Sequence, residues 1–122
     1  MTTDRPYDLT DCLERILAFR DARDWQQFHK PKDLAAALAI EAAELQEVFL
    51  WQEALGGEAV QRDNARMAKA REEAADCAIY LLLIAHELGI ELPRAVDEKL
   101  DVNAEKYPVD EHRGVAQKSR RG

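Results

Sequence analysis

A chain of 122 residues fits a single domain. Its 17 Lys and Arg against 24 Asp and Glu leave a net charge of −7, which argues against a partner held through phosphate-backbone electrostatics, as duplex nucleic acid is. With 47% hydrophobic residues but only 5 Gly and 4 Pro, the chain has material for a core and too few breakers for a many-stranded β fold, so an all-α fold is expected.

Four helices are expected. The first covers residues 8–24, where Leu9, Cys12, Leu13, Ile16, Leu17 and Phe19 recur at three- and four-residue steps and Asp8 or Thr10 can cap the start. The second starts at Pro31, whose fixed φ suits a first helical turn, and runs to about residue 52, with Leu34, Leu38, Leu45, Val48 and Phe49 on its apolar face. Gly56-Gly57 is read as its stop. The third covers residues 60–88; it is polar from 62 to 71 and apolar almost all round from 74 onward, the pattern of a helix buried from several sides, with Gly89 as its C-terminal cap. The fourth runs over residues 93–107, with Val96, Leu100, Ala104 and Tyr107 as its stripe and Pro108 as its stop. Beyond a folded domain of residues 1–110, the tail 111–122 is expected to be basic and flexible, with disorder setting in from residue 109; it carries Arg113, Lys118, Arg120 and Arg121.

The longest uninterrupted apolar run, residues 77–85, is far short of the about 20 residues a spanning helix needs, and the N-terminus lacks the apolar stretch of a secretory signal. No membrane association and a cytoplasmic location are therefore expected. Cys12 and Cys77 cannot build a disulfide scaffold and are read as small core residues.

Two acidic pairs do not fit this pattern. Glu41-Ala-Ala-Glu44 lies on the second helix and Glu73-Ala-Ala-Asp76 on the third, each with both side chains on one face a turn apart. Such a pair is ordinarily a solvated stripe. Here Glu41 and Glu44 are the only charges between residues 34 and 44, and Asp76 is the only charge between 74 and 85. If the two faces meet, two carboxylates about 5 Å apart repel by roughly 3 kcal/mol at an effective dielectric near 20. No Lys or Arg interleaves the motifs to offset this, so a divalent cation is expected to do so. A ligand set of oxygens alone selects a hard ion, Mg²⁺ or Mn²⁺, with open positions for phosphate. A di-iron site needs Glu-x-x-His pairs, and none of His29, His86 and His112 follows a glutamate at that spacing.

Aromatic and basic residues surround the motifs in sequence. Trp51 lies seven residues after Glu44, and Tyr80 four after Asp76, each on its helical stripe. Trp25 and His29 fall at the junction of the first two helices. Aromatics at such spacing are core more often than not, but a cluster beside a metal site suits a planar ligand such as a nucleobase. On the fourth helix Lys99, Asn103 and Lys106 recur at i, i+4 and i+7, where they suit phosphate oxygens or serve as a solvated edge.

The two acidic motifs, together with residues 23–29 (RDWQQFH), 41–51 (EAAELQEVFLW), 72–81 (EEAADCAIYL) and 99–108 (KLDVNAEKYP), resemble the MazG-like all-α nucleoside triphosphate pyrophosphohydrolases, and within them the dCTP pyrophosphatase branch. The resemblance covers about residues 7–110. It implies a four-helix bundle completed by oligomerisation, as a homodimer or a dimer-of-dimers tetramer. It implies Mg²⁺-dependent hydrolysis of a nucleoside triphosphate, dCTP or a related pyrimidine nucleotide, to the monophosphate and pyrophosphate. The metal ligands and catalytic carboxylates it implies are Glu41, Glu44, Glu73 and Asp76. The base pocket is Trp25, His29, Trp51 and Tyr80, and the phosphate contacts are Lys99, Asn103 and Lys106. The alternative from another class is a non-catalytic helical module whose acidic pairs dock a basic partner.

Overall fold

The structure, a computed structural model, describes residues 7–51, 53 and 55–116. Among these residues every regular element is helical. They gather into two compact units that divide between Leu88 and Gly89.

The first unit holds α1 (Leu9–Asp21), a 3₁₀ turn (Gln26–Phe28), α2 (Pro31–Glu47), α3 (Gly57–Gln61) and α4 (Asn64–Glu87). Asp8 is the cap of α1: its carboxylate accepts from the Asp11 backbone N–H at 2.8 Å and satisfies a donor that the first turn leaves unpaired. Pro31 opens α2 as expected. The helix is shorter than its sequence suggests, however. After Glu47 the backbone tightens into i→i+3 bonds, Val48 to Leu45, Phe49 to Gln46 and Leu50 to Glu47, and the run ends on Trp51 at φ 64°. Gly56 therefore does not stop α2; it precedes α3.

The long third helix is in fact two. α3 is a single short helix, and α4 starts anew at Asn64, where the Asp63 carboxylate accepts from the Arg66 backbone N–H at 3.1 Å. The polar run at 62–71 is thus a helix start and its first turns. α4 ends as expected, with Gly89 at φ 65°, a left-handed conformation that only glycine adopts without strain.

α4 packs chiefly against α2 and less extensively against α1 and α3. The buried apolar residues of this unit are Leu34 of α2 and Leu82, Leu83 and Ala85 of α4. Each leucine removed from water contributes about 1.5–3 kcal/mol. The same unit buries Arg20 of α1, whose guanidinium donates to Asp21 at 2.8 Å and to Glu87 of α4 at 3.1 Å. This ion pair ties the end of α1 to the last turn of α4. Cys12 is exposed and Cys77 half-buried, both as free thiols, so Cys12 is not a core residue.

The second unit contains α5 (Leu92–Lys106) and α6 (Val109–His112). α5 matches the expected fourth helix within a residue at each end. The expectation of disorder from residue 109 is corrected by α6, a helical turn on which the His112 ring meets Tyr107 edge-on, with centroids 5.1 Å apart. Lys118, Arg120 and Arg121 lie outside the described residues.

Candidate metal and phosphate site

The i, i+3 spacing on α2 turns Glu41 and Glu44 to one face, and the same spacing on α4 does so for Glu73 and Asp76. Because α2 packs against α4, the two acidic faces meet. Carboxylate oxygens of Glu41, Glu73 and Asp76 all lie within 4.8 Å of one another. Glu44 is not part of this converging set; it lines the adjoining cleft with Glu73. Glu73 is 3% exposed, and Glu41, Glu44 and Asp76 are half-buried.

The electrostatics show how unusual this is. Burial, then the neighbouring Glu44 and Asp76, pushes the Glu41 carboxyl up from 4.5 to about 7. Glu73 goes the other way. Its Oε1 receives the Lys69 ammonium at 2.8 Å, and this pairing, opposed by burial, holds it below the usual carboxylate range. Lys69 is correspondingly held charged above the ordinary lysine value. Burial and the surrounding carboxylates also push the Cys77 thiol up, so it is no nucleophile at neutral pH.

Even with Lys69 in place, two buried carboxylate oxygens, Glu41 Oε2 and Glu73 Oε2, have no hydrogen-bond partner. Buried polar atoms are seldom left so, because each costs the desolvation it does not recover. Three converging carboxylates, two of them with an unpartnered oxygen, and no sulfur or nitrogen ligand fit a hard divalent cation. Beside them a cleft of about 400 Å³ is lined by Glu44, Glu47, Val48, Lys69 and Glu73.

Lys69 corrects the sequence reading. That reading found no base among the motifs, yet Lys69 sits one turn before Glu73, with Glu72 a further 3.8 Å ion pair. The i, i+4 Lys–Glu spacing was a sufficient signal.

The aromatic residues are distributed differently. Tyr80 lies half-buried on α4, a turn beyond Asp76. Trp25 packs edge-on against Phe19 at 5.9 Å, with the Arg23 guanidinium 3.6 Å over the Phe19 ring. His29 follows the 3₁₀ turn and buries an Nδ1 that has no partner. Trp51 does not continue the Glu44 stripe, because α2 has ended; it stands 98% exposed in the turn that follows. Lys99, Asn103 and Lys106 lie on α5, in the second unit, with Asn103 and Lys106 half-buried.

No helix among the described residues is long and apolar enough to cross a membrane. Residues 36–121 match the MazG-like family. The chain is 43% identical over 113 residues to dCTP pyrophosphatase 1 of Rattus norvegicus, across 91% of this chain and 66% of that protein. It is 39% identical over 116 residues to the Homo sapiens protein of the same name, across 93% of this chain and 67% of that one. The chain thus spans about two thirds of the length of the curated relatives it matches. The crystal structure of a pyrophosphatase from Archaeoglobus fulgidus superposes with a TM-score of 0.74 at 34% identity, covering 88% of this chain and 99% of that one. With a family match over most of its length and relatives at this identity, the chain belongs to the MazG-like family.

Proposed function

We propose that the chain hydrolyses a nucleoside triphosphate to the monophosphate and pyrophosphate in a divalent-cation-dependent reaction, with dCTP or a related pyrimidine nucleotide as substrate. The observation that carries this reading is the convergence of the α2 and α4 carboxylates with two orphaned oxygens beside a cleft. The names of the relatives support the reaction and the base. Glu41, Glu44, Glu73 and Asp76 would hold the ion, Mg²⁺ or Mn²⁺. Bound there, such an ion neutralises phosphate charge and polarises the phosphorus under attack.

The chain's own residues supply the rest. Glu44 is the better candidate to take the proton of the attacking water, since Glu73 already accepts from the Lys69 ammonium at 2.8 Å. Glu44 also lines the cleft, where the triphosphate would lie. Trp25, His29, Trp51 and Tyr80 would receive the base. Lys99, Asn103 and Lys106 would contact phosphate oxygens, stabilising charge on the departing pyrophosphate. All of these residues fall within the proposed domain, residues 1–110, ahead of the basic tail.

Assembly as a homodimer or a dimer of dimers is part of the same proposal, and the exposed apolar side chains support it. The chain alone leaves Ile40, Phe49, Leu50, Ile79 and Leu81 exposed on and around the two long helices, apolar surface that a second copy would cover. Two unpaired thiols suit the reducing cytoplasm.

The test is a screen of common and modified nucleoside triphosphates with and without Mg²⁺, with products identified. The reading expects a nucleoside monophosphate and pyrophosphate, in Mg²⁺ only, fastest with a pyrimidine deoxynucleotide. Release of orthophosphate, or no turnover of any triphosphate, contradicts it.

A further inference from the structure

Lys69 is the only cation among the described residues that line the α2–α4 cleft; the remaining wall is Glu44, Glu47, Glu73 and Val48. A polyphosphate entering so acidic a cleft is repelled unless something on the wall attracts it. The cleft shares Glu73 with the carboxylate cluster. A phosphate chain anchored at the cluster therefore has Lys69 beside its path.

The geometry of the lysine suits this role. Its ammonium has three N–H donors. Glu73 takes one at 2.8 Å, while Glu72 at 3.8 Å is in reach of an ion pair but too far for a hydrogen bond. Two donors are left for a further acceptor. The side chain is 57% exposed, whereas its anchor Glu73 is 4% exposed, so the buried carboxylate holds the charge at the boundary between the cluster and the open cleft. An ammonium held in advance loses less freedom on binding than one drawn from solvent.

We propose that Lys69 is a substrate-binding residue that grips the distal phosphates of the triphosphate from the wall of this cleft, an inference that rests on the pyrophosphohydrolase reading above. The lysine recognises the phosphate chain and not the base, so its contribution is the same for every nucleotide and is retained for free pyrophosphate.

The experiment is a calorimetric titration of the full chain with pyrophosphate in Mg²⁺, for the wild type, Lys69→Met and Lys69→Arg. Mg²⁺ is titrated alone in parallel. Lys69→Met is expected to weaken pyrophosphate binding about tenfold or more, as loss of a charge-assisted contact does, with Lys69→Arg retaining most of the affinity. Mg²⁺ binding alone is expected to be unchanged or tighter in Lys69→Met, because Glu73 is released to the ion. KM for every triphosphate turned over rises by a similar factor. Pyrophosphate binding as tight as in the wild type overturns the proposal. So does loss of Mg²⁺ binding in Lys69→Met, which would make the lysine an organiser of the carboxylates only. If the wild type turns over triphosphates while Lys69→Met shows an unchanged KM, this inference alone fails. If the wild type turns over none, the functional reading fails and this inference with it.

Discussion

Arg20 and Glu73 are both buried charged residues of the same unit, and they are treated in opposite ways. Arg20 meets two carboxylates, Asp21 and Glu87, at hydrogen-bonding distance. Its charge is matched, and its work is to join α1 to α4. Glu73 meets one ammonium, and then faces Glu41, Glu44 and Asp76, with one oxygen on no partner. A buried charge that is fully paired is part of the framework. One left in excess of its partners, among like charges, destabilises the free chain and has reason to persist only if something binds there.

The contrast can be broken at either end. The largest effect is expected at the unmatched cluster: Glu41→Gln or Asp76→Asn should lower kcat/KM by about 10³-fold or more, as removal of charge-stabilising groups does. The same substitutions should leave the metal-free chain as stable as before or more so, because they relieve repulsion. Steady-state kinetics and thermal melts in chelator read both. At the matched pair the order inverts. Arg20→Met should cost about 2 kcal/mol of stability, below the range for a fully buried pair because Glu87 is partly open to solvent, with kcat of the folded enzyme kept. Urea unfolding measures the first and kinetics the second.

A pH series sharpens the comparison. Glu41 titrates near 7 in the folded chain against about 4.5 unfolded, so folding favours its neutral form. Its contribution to stability is complete below the unfolded value and is lost as the pH rises through 7. The metal-free melting temperature should therefore fall between about pH 5 and pH 8, and Glu41→Gln should flatten that fall. Glu73, held low by Lys69, contributes with the opposite sign and in a separate window, below about 4.5. A melting temperature that rises across the neutral range contradicts the assignment. The smallest effect on stability is expected at Trp51, which is almost fully exposed: Trp51→Ala should leave the melting temperature unchanged and raise only KM for the nucleotide.

Much of this was legible in the sequence because it is local. The Asp8 cap, Pro31 at a helix start, the αL glycine at 89 and the i, i+3 carboxylate pairs depend on residues within a turn of one another. What failed was also instructive. The sequence 48–51 contains no Gly or Pro, so nothing local announces that α2 ends at Glu47, and the helical stripe expected to carry Trp51 stops short of it. The Asp63 cap lay inside a polar run that the apolar period skips over. Lys69 stands outside both acidic motifs, and only its i, i+4 relation to Glu73 marks it in the sequence. The Arg20–Glu87 pair joins residues 67 positions apart and could be seen only once α1 and α4 were in place.

On the proposed reading α2 and α4 together hold a divalent cation. Mn²⁺ titrated into the chelator-treated chain and followed by electron paramagnetic resonance tests it directly, since the free hexaaquo ion gives the signal and the bound ion loses it. The wild type is expected to quench the signal to a saturable stoichiometry, and Asp76→Asn is not. A full free-ion signal in the wild type, or equal quenching by both proteins, contradicts it.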